Sequence, residues 1–293
     1  MKMRNVGAHV SAAGGIDKAV ERVAAIGGNC VQLFSGSPRV WAKPGLDRYS
    51  MDRFVSNLQK YSIAPVFTHA LYLVNLASDK PDNIRKSFDS LKYELEFDSL
   101  VKGSGVVVHL GSHQGRGWEA GKEQLAKHID ALLKVTPDDS TFLIENSAGQ
   151  KGKIASDLHE IRWLLDQAEK TNKWVSTGRL GWCFDTCHGH AAGYRLGDPA
   201  KMPASEKTAY ASITELELWS TLRVVHVNDS RDPFDSGRDR HANIGEGNIP
   251  QEDVRFFINT PEVQKLPLIL EAPGFDGKGP DAENIKRIGK LIS

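Results

Sequence analysis

Short apolar runs alternate with longer stretches of helical spacing along most of this chain. The runs span residues 6–10, 30–34, 65–69, 105–109, 141–145, 180–185, 223–228 and 266–271. They are rich in Val, Ile, Leu and Phe without clean alternation, the pattern of strands buried on both faces. Between them, Ile84, Phe88, Leu91 and Leu95 are spaced to form one apolar helical stripe, as are Leu158, Ile161, Leu164, Leu165 and Ala168. Gly27-Gly28 and Gly103 stand where helix C-caps are expected. Eight strands alternating with helices predict an α/β fold closed into a single-domain (β/α)8 barrel over residues 1–293. An open doubly wound sheet is the alternative, but it carries a Gly-rich phosphate turn after its first strand, and Ala12 to Gly15 offer no G-x-G-x-x-G.

Seven of the eight runs end in or near a chemically capable residue: His9, His69, His109, Glu145, Asp185, His226 and Glu271. In a parallel barrel the C-terminal strand ends share one mouth, where active sites form. His and carboxylate side chains are ligands for borderline metals such as zinc, with manganese or iron also compatible. Two close pairs extend the set, Asp185 with His188 and Asp239 with His241. The second pair lies in a stretch over 229–253 with little apolar periodicity, and a loop that long is often functional. Four carboxylates in one mouth require cations. His9 and His128 read as hydrogen-bonded core residues, His159 as a solvated helix residue, Cys183 as core and Cys187 as a small buried neighbour of the site.

Composition narrows the class. Lys and Arg number 37, as do Asp and Glu, so the formal charge is zero, which argues against a strongly basic nucleic-acid binder but leaves a local patch open. At 40% hydrophobic and 25% charged the chain is ordinary globular material. No apolar run reaches membrane-span length, no signal core opens the chain, and three cysteines make no disulfide framework. Without a basic C-terminal tail the expected location is a bacterial-type cytoplasm, with a nuclear one left open.

The chain resembles the endonuclease IV family of apurinic/apyrimidinic endonucleases. The motifs carrying the resemblance are Gly7-Ala-His-Val-Ser-Ala-Ala-Gly-Gly15, His69-Ala-Leu-Tyr-Leu-Val-Asn-Leu76, His109-Leu-Gly-Ser-His113 and Ile144-Glu-Asn-Ser-Ala-Gly-Gln150. Phe184-Asp-Thr-Cys-His188, Ala191-Ala-Gly-Tyr194, His226-Val-Asn-Asp229, Asp239-Arg-His241, Gly245-Glu-Gly-Asn-Ile249 and Leu268-Ile-Leu-Glu-Ala-Pro273 follow in order, covering nearly the whole chain. The resemblance implies a TIM barrel holding three Zn²⁺ per chain. His69 and His109 would bind the first, Glu145 would bridge the first and second, and Asp185, His226 and Glu271 would complete the second. His188, Asp239 and His241 would hold the third. It further implies a monomer without a nucleotide cofactor, acting on double-stranded DNA at an abasic site. A zinc-activated hydroxide, oriented by Glu145 as the catalytic residue, would hydrolyse the phosphodiester 5′ to that site. The products would be a 3′-hydroxyl and a 5′-deoxyribose phosphate, with 3′-end trimming open. Arg39, Tyr72 and Leu73 would fill the gap left by the missing base. Lys43, Lys80 and Arg116 are loop cations placed either to touch phosphates or to be solvated. His190, Ala242, Ala272 and Ser37-Pro38 depart from the family's usual residues. Two rivals share parts of this pattern: a divalent-metal sugar isomerase or epimerase on a similar barrel, and a non-catalytic metal-stabilised DNA-damage binder. Asp239, His241 and Tyr72-Leu73 discriminate against the first, and the complete ligand set against the second.

Overall fold

The computed structural model describes residues 4–292. Barrel strands β1 (Val6–His9), β2 (Cys30–Phe34), β3 (Val66–His69), β4 (Val106–Val108), β5 (Phe142–Glu145), β6 (Leu180–Asp185) and β7 (Leu222–His226) are followed by two short strands, β8 (Asp229–Ser230) and β9 (His241–Ala242), and by the last barrel strand, β10 (Leu268–Leu270). The helices are α1 (Ile16–Ala25), α2 (Met51–Tyr61), α3 (Pro81–Val101), α4 (Trp118–Lys134), α5 (Leu158–Asn172), α6 (Thr186–Ala191), α7 (Ala209–Glu215), α8 (Gln251–Ile258) and α9 (Ala282–Leu291). All barrel pairings are parallel, and β1 joins both β2 and β10, closing the ring in the order β1-β10-β7-β6-β5-β4-β3-β2. The eight expected strands are therefore present, each within two residues of its expected limits, and the open sheet is excluded. No helix among the described residues is long and apolar enough to cross a membrane.

Strand geometry sorts the side chains. Residues two apart on a strand point to the same side. Cys30, Phe67, Val107, Leu143, Cys183, Val224 and Ile269 form one buried apolar cluster, each contributed by a different barrel strand. Two residues further along these strands stand Gln32, His69, His109, Glu145, Asp185, His226 and Glu271. On β1 the equivalent pair is Gly7 and His9, and a Cβ at Gly7 would fall 1.8 Å from the Cys30 carbonyl oxygen, so only glycine fits. The barrel thus holds an apolar layer beneath a polar ring at its mouth. A second, larger cluster lies between strands and helices and includes Leu91, Leu95, Leu158, Ile161, Leu164 and Leu165 from the predicted stripes.

Gly27 has the positive φ of a C-cap glycine. Gly103 does not: the left-handed residue after α3 is Lys102, at φ 51°. Gly103 is needed for close approach, because a Cβ there would meet the Asp98 carboxylate at 1.9 Å. Asp98 is buried and accepts from the Gly105 N–H at 3.3 Å, and burial pushes its pKa up to about 7. Its native pKa exceeds the unfolded value, so stability falls as pH rises from about 4 to 7 and stays reduced above. Asp98→Asn should therefore be more stable than the parent by about 2–4 kcal/mol at pH 8 and nearly equal at pH 4, read by denaturant unfolding at both. An equal difference at both pH values would contradict this.

Candidate metal centre

Each ring residue reaches the mouth because its strand delivers it there, and loops bring the remainder. His188 sits on α6, whose first turn is capped by the Asp185 carboxylate accepting from the His188 N–H at 2.9 Å. Asp239 and His241 come from the long connection after β7. That connection is more ordered than expected: β8 and β9 pair antiparallel, with Ser230 opposite His241, and α8 begins at Gln251. Its anchor is Asp229. The buried carboxylate accepts from four backbone N–H groups, those of Ser230 at 2.7 Å and of Gly245, Gly247 and Ile249 at 3.0 Å.

All nine expected ligands converge. Three groupings keep their potential ligand atoms within 4.8 Å of one another: His69, His109 and Glu145; Glu145, Asp185, His226 and Glu271; His188, Asp239 and His241. Glu145 belongs to two of them. Its Oε2 lies 3.1 Å from His69 Nε2 and 3.2 Å from His109 Nε2, and its Oε1 lies 3.2 Å from His226 Nδ1. Asp185, Cys187 and His241 form a fourth grouping, in which the buried Cys187 thiol donates to the Arg240 carbonyl at 3.7 Å.

The donor set fits a divalent metal. His188 Nε2 is 3.1 Å from Asp239 Oδ1 and His241 Nε2 is 3.5 Å from the same oxygen, yet both nitrogens are buried without a hydrogen bond. These contacts bring acceptor atoms toward a common point rather than pairing donor with acceptor, as a cation requires. Charge follows the same pattern. Burial pushes the Glu145 carboxyl up, but His109 and His226 outweigh it and hold the group well below the usual carboxylate range. Burial pushes His188 down, and Asp185 and Asp239 more than reverse that. Burial takes His109 down to about 4.

Hydrogen bonds around the ring orient it. His69 Nδ1 donates to the Ala70 carbonyl at 2.7 Å and His188 Nδ1 to that of Asn146 at 2.9 Å, so each offers Nε2 to the centre. Asn228 Nδ2 donates to Asp185 Oδ2 at 2.6 Å, and its Oδ1 accepts from the Glu271 N–H at 2.8 Å. Asn146, Asn228, Asp229 and Gln32 were not identified as site residues from sequence, although all but Gln32 sit inside the recognised motifs. His9 donates through Nδ1 to Glu271 at 2.8 Å, agreeing with its reading as a hydrogen-bonded residue. His128 likewise donates to the Leu76 carbonyl at 2.8 Å, and His159 is exposed.

Beside the centre, the loops after β2 and β3 carry Arg39, Tyr72 and Leu73, all exposed. Tyr72 is 58% accessible, unusual for its size, and its backbone N–H donates to the Pro38 carbonyl at 3.3 Å, joining the two loops. The loop cations require correction. Lys43 is neither solvated nor free for phosphate: it is buried in an ion pair with Glu94 and donates to Ser35 Oγ at 3.1 Å. Arg116 ties the Ala77 and His113 carbonyls together. Lys80 remains exposed at the start of α3. His190 is buried with its ring 5.5 Å from that of Phe234, inside the long connection, and Ala242 and Ala272 are buried.

The chain and its fold have counterparts. A family model described as "Xylose isomerase-like TIM barrel" matches residues 20–291. A probable endonuclease 4 of Haloquadratum walsbyi is 37% identical over 286 residues, 98% of each chain. The crystal structure of endonuclease IV from Thermus thermophilus superposes with a TM-score of 0.80 at 29% identity, covering 99% of this chain and 98% of that one. A 3-keto-D-glucoside 4-epimerase from E. coli shares the fold at a TM-score of 0.68 but only 11% identity. Full-length identity to the endonucleases, with fold alone shared with the epimerase, places this chain in the endonuclease IV family.

Proposed function

We propose that the protein is a zinc-dependent DNA-repair endonuclease that hydrolyses the phosphodiester 5′ to an abasic site in duplex DNA. The observation that carries this reading is the third grouping, His188, Asp239 and His241, of which His188 and Asp239 line one pocket with the exposed Tyr72. A sugar isomerase or epimerase needs neither that grouping nor a protruding aromatic at the mouth. The substrate step is attack of a water oxygen on phosphorus with loss of the 3′-oxygen, leaving a 3′-hydroxyl and a 5′-deoxyribose phosphate. Zinc held by the three groupings supplies a lowered pKa for water and positive charge for the phosphate. Glu145, with its two oxygens turned to two groupings, orients the attacking water and accepts its proton. His69, His109 and His188 present Nε2 while their rings are fixed from behind or by neighbours. Arg39, Tyr72 and Leu73 occupy the space of the missing base, which is cheap to open because an abasic nucleotide has no stacking to lose.

The test is a duplex oligonucleotide with one abasic site beside its intact twin, with zinc quantified on the same protein. Incision on the 5′ side of the abasic position alone, with zinc retained through gel filtration and lost slowly to a chelator, is the expected result. Equal cutting of both duplexes, or a metal-dependent change in a free sugar without incision, would refute it. Tyr72→Ala should raise KM for the abasic duplex about tenfold while zinc content stays unchanged, because truncating a base-sized wedge forfeits about 1–3 kcal/mol of stacking. Unchanged KM would make Tyr72 a mere surface aromatic.

A further inference from the structure

The polar ring has eight positions, and one of them is an amide. Gln32 is fully buried on β2, between His9, His226 and Glu271. Its orientation follows from what its neighbours can do. Glu271 Oε1 only accepts, and it lies 2.8 Å from Gln32 Nε2, so the amide NH₂ faces the carboxylate. Gln32 Oε1 must then face His226 Nε2, 2.8 Å away. An amide oxygen only accepts, so His226 Nε2 carries a hydrogen. The other nitrogen, Nδ1, is left as the ligating atom, and it points at Glu145 Oε1 at 3.2 Å, Glu271 Oε2 at 3.4 Å and Asp185 Oδ2 at 3.8 Å.

The neighbouring histidines are arranged in the opposite sense. His69, His188 and His241 each direct Nδ1 to a backbone carbonyl, those of Ala70, Asn146 and Glu271, and keep Nε2 for the centre. Backbone sets those three. His226 is reversed, and its selector is a side chain that substitution can remove.

We infer that Gln32 is the positioning residue of the second grouping. Through the oxygen that it turns to His226 Nε2, it fixes which nitrogen His226 presents and the angle of its ring. The inference rests on the proposed reading of the centre as a metal site. It assigns Gln32 no contact with substrate.

The experiment compares wild type, Gln32→Leu and Gln32→Glu, each loaded with zinc and titrated with a competing chelator. Leucine can neither accept from His226 nor donate to Glu271, whereas glutamate still accepts. Gln32→Leu should lose one ion per chain 10–100-fold more readily than wild type, the usual size of such outer-shell effects, with the other ions unchanged. Gln32→Glu keeps the acceptor for His226 but sets a carboxylate against Glu271, and it should weaken zinc less than Gln32→Leu does. In ¹⁵N-resolved spectra of the zinc-loaded protein, the His226 Nε2–H signal should persist in wild type and Gln32→Glu and broaden or vanish in Gln32→Leu. Wild-type affinity in Gln32→Leu would overturn the inference. So would simultaneous loss of every ion, or equal weakening by glutamate, which would locate the effect in the donor to Glu271. A wild-type chain that takes up no zinc would refute the metal reading and this inference with it. Zinc uptake without incision would refute only the nuclease assignment.

Discussion

Glu145→Gln is expected to reduce incision of abasic DNA by roughly a thousandfold or more while leaving a folded protein that still binds the duplex. The substitution keeps the shape of a fully buried side chain. It removes a negative charge from the point where His69, His109 and His226 converge within 3.1 to 3.2 Å. It also places an amide N–H, a donor, where the lone pairs of these nitrogens would otherwise converge on a cation. Two contributions are lost together, namely the proton acceptor for the attacking water and the carboxylate shared by two groupings. Single-turnover incision measures the first, and zinc content on the same sample measures the second. Binding should stay within a few-fold, because Arg39, Tyr72 and Leu73 lie on other loops. Full incision by Glu145→Gln would remove Glu145 from the mechanism.

The second large effect should come from a residue that touches no substrate. Asp229→Ala would leave four backbone N–H groups without their acceptor, in a connection whose purpose is to carry Asp239 and His241 to the mouth. Hydrogen bonds to a charged acceptor are each worth about 1.5–3 kcal/mol, and bonds sharing one acceptor do not add, so a loss of roughly 3 kcal/mol is expected. Activity should fall by about a hundredfold through the weakened third grouping. Asp229→Asn, whose amide oxygen accepts in place of one carboxylate oxygen, should lie between. Denaturant unfolding and zinc stoichiometry read the two consequences separately. An Asp229→Ala protein with full zinc and full activity would show that β8, β9 and their neighbours hold the loop unaided.

What was legible in the sequence follows from periodicity. Strands buried on both faces announce themselves as apolar runs, and seven of the eight ring positions stood out because His, Asp and Glu are conspicuous against Val and Leu. Gln32 did not, for two reasons. Glutamine is not a metal ligand, and the apolar run continues past it through Leu33 and Phe34, so it reads as an interior polar residue rather than a strand end. Counting two residues on from each apolar-layer position finds it, but that layer is identifiable only once the barrel is closed. Lys43 was misplaced because a loop cation shows its charge in sequence and not its burial, and its partner Glu94 is 51 positions away. The β8–β9 pairing was invisible because strands of two residues carry no alternation. The exposure of Tyr72 and Leu73 was expected only through family resemblance, since an exposed aromatic and a buried one look the same in a string of letters.

The apolar layer beneath the ring has a consequence for how the protein meets a polyanion. Cys30, Phe67, Val107, Leu143, Cys183, Val224 and Ile269 close the barrel with apolar, low-dielectric material, an insulating floor. Field lines from cations seated above such a floor escape mainly upward, into solvent over the mouth, and low-dielectric walls concentrate them. With the proposed metal ions in place, a chain with zero formal charge would capture DNA as a focused source rather than as a uniformly basic surface. Its association rate would be governed by ionic strength within about a Debye length of the mouth, roughly 8–10 Å in ordinary buffers, and insensitive to charges on the far side of the barrel.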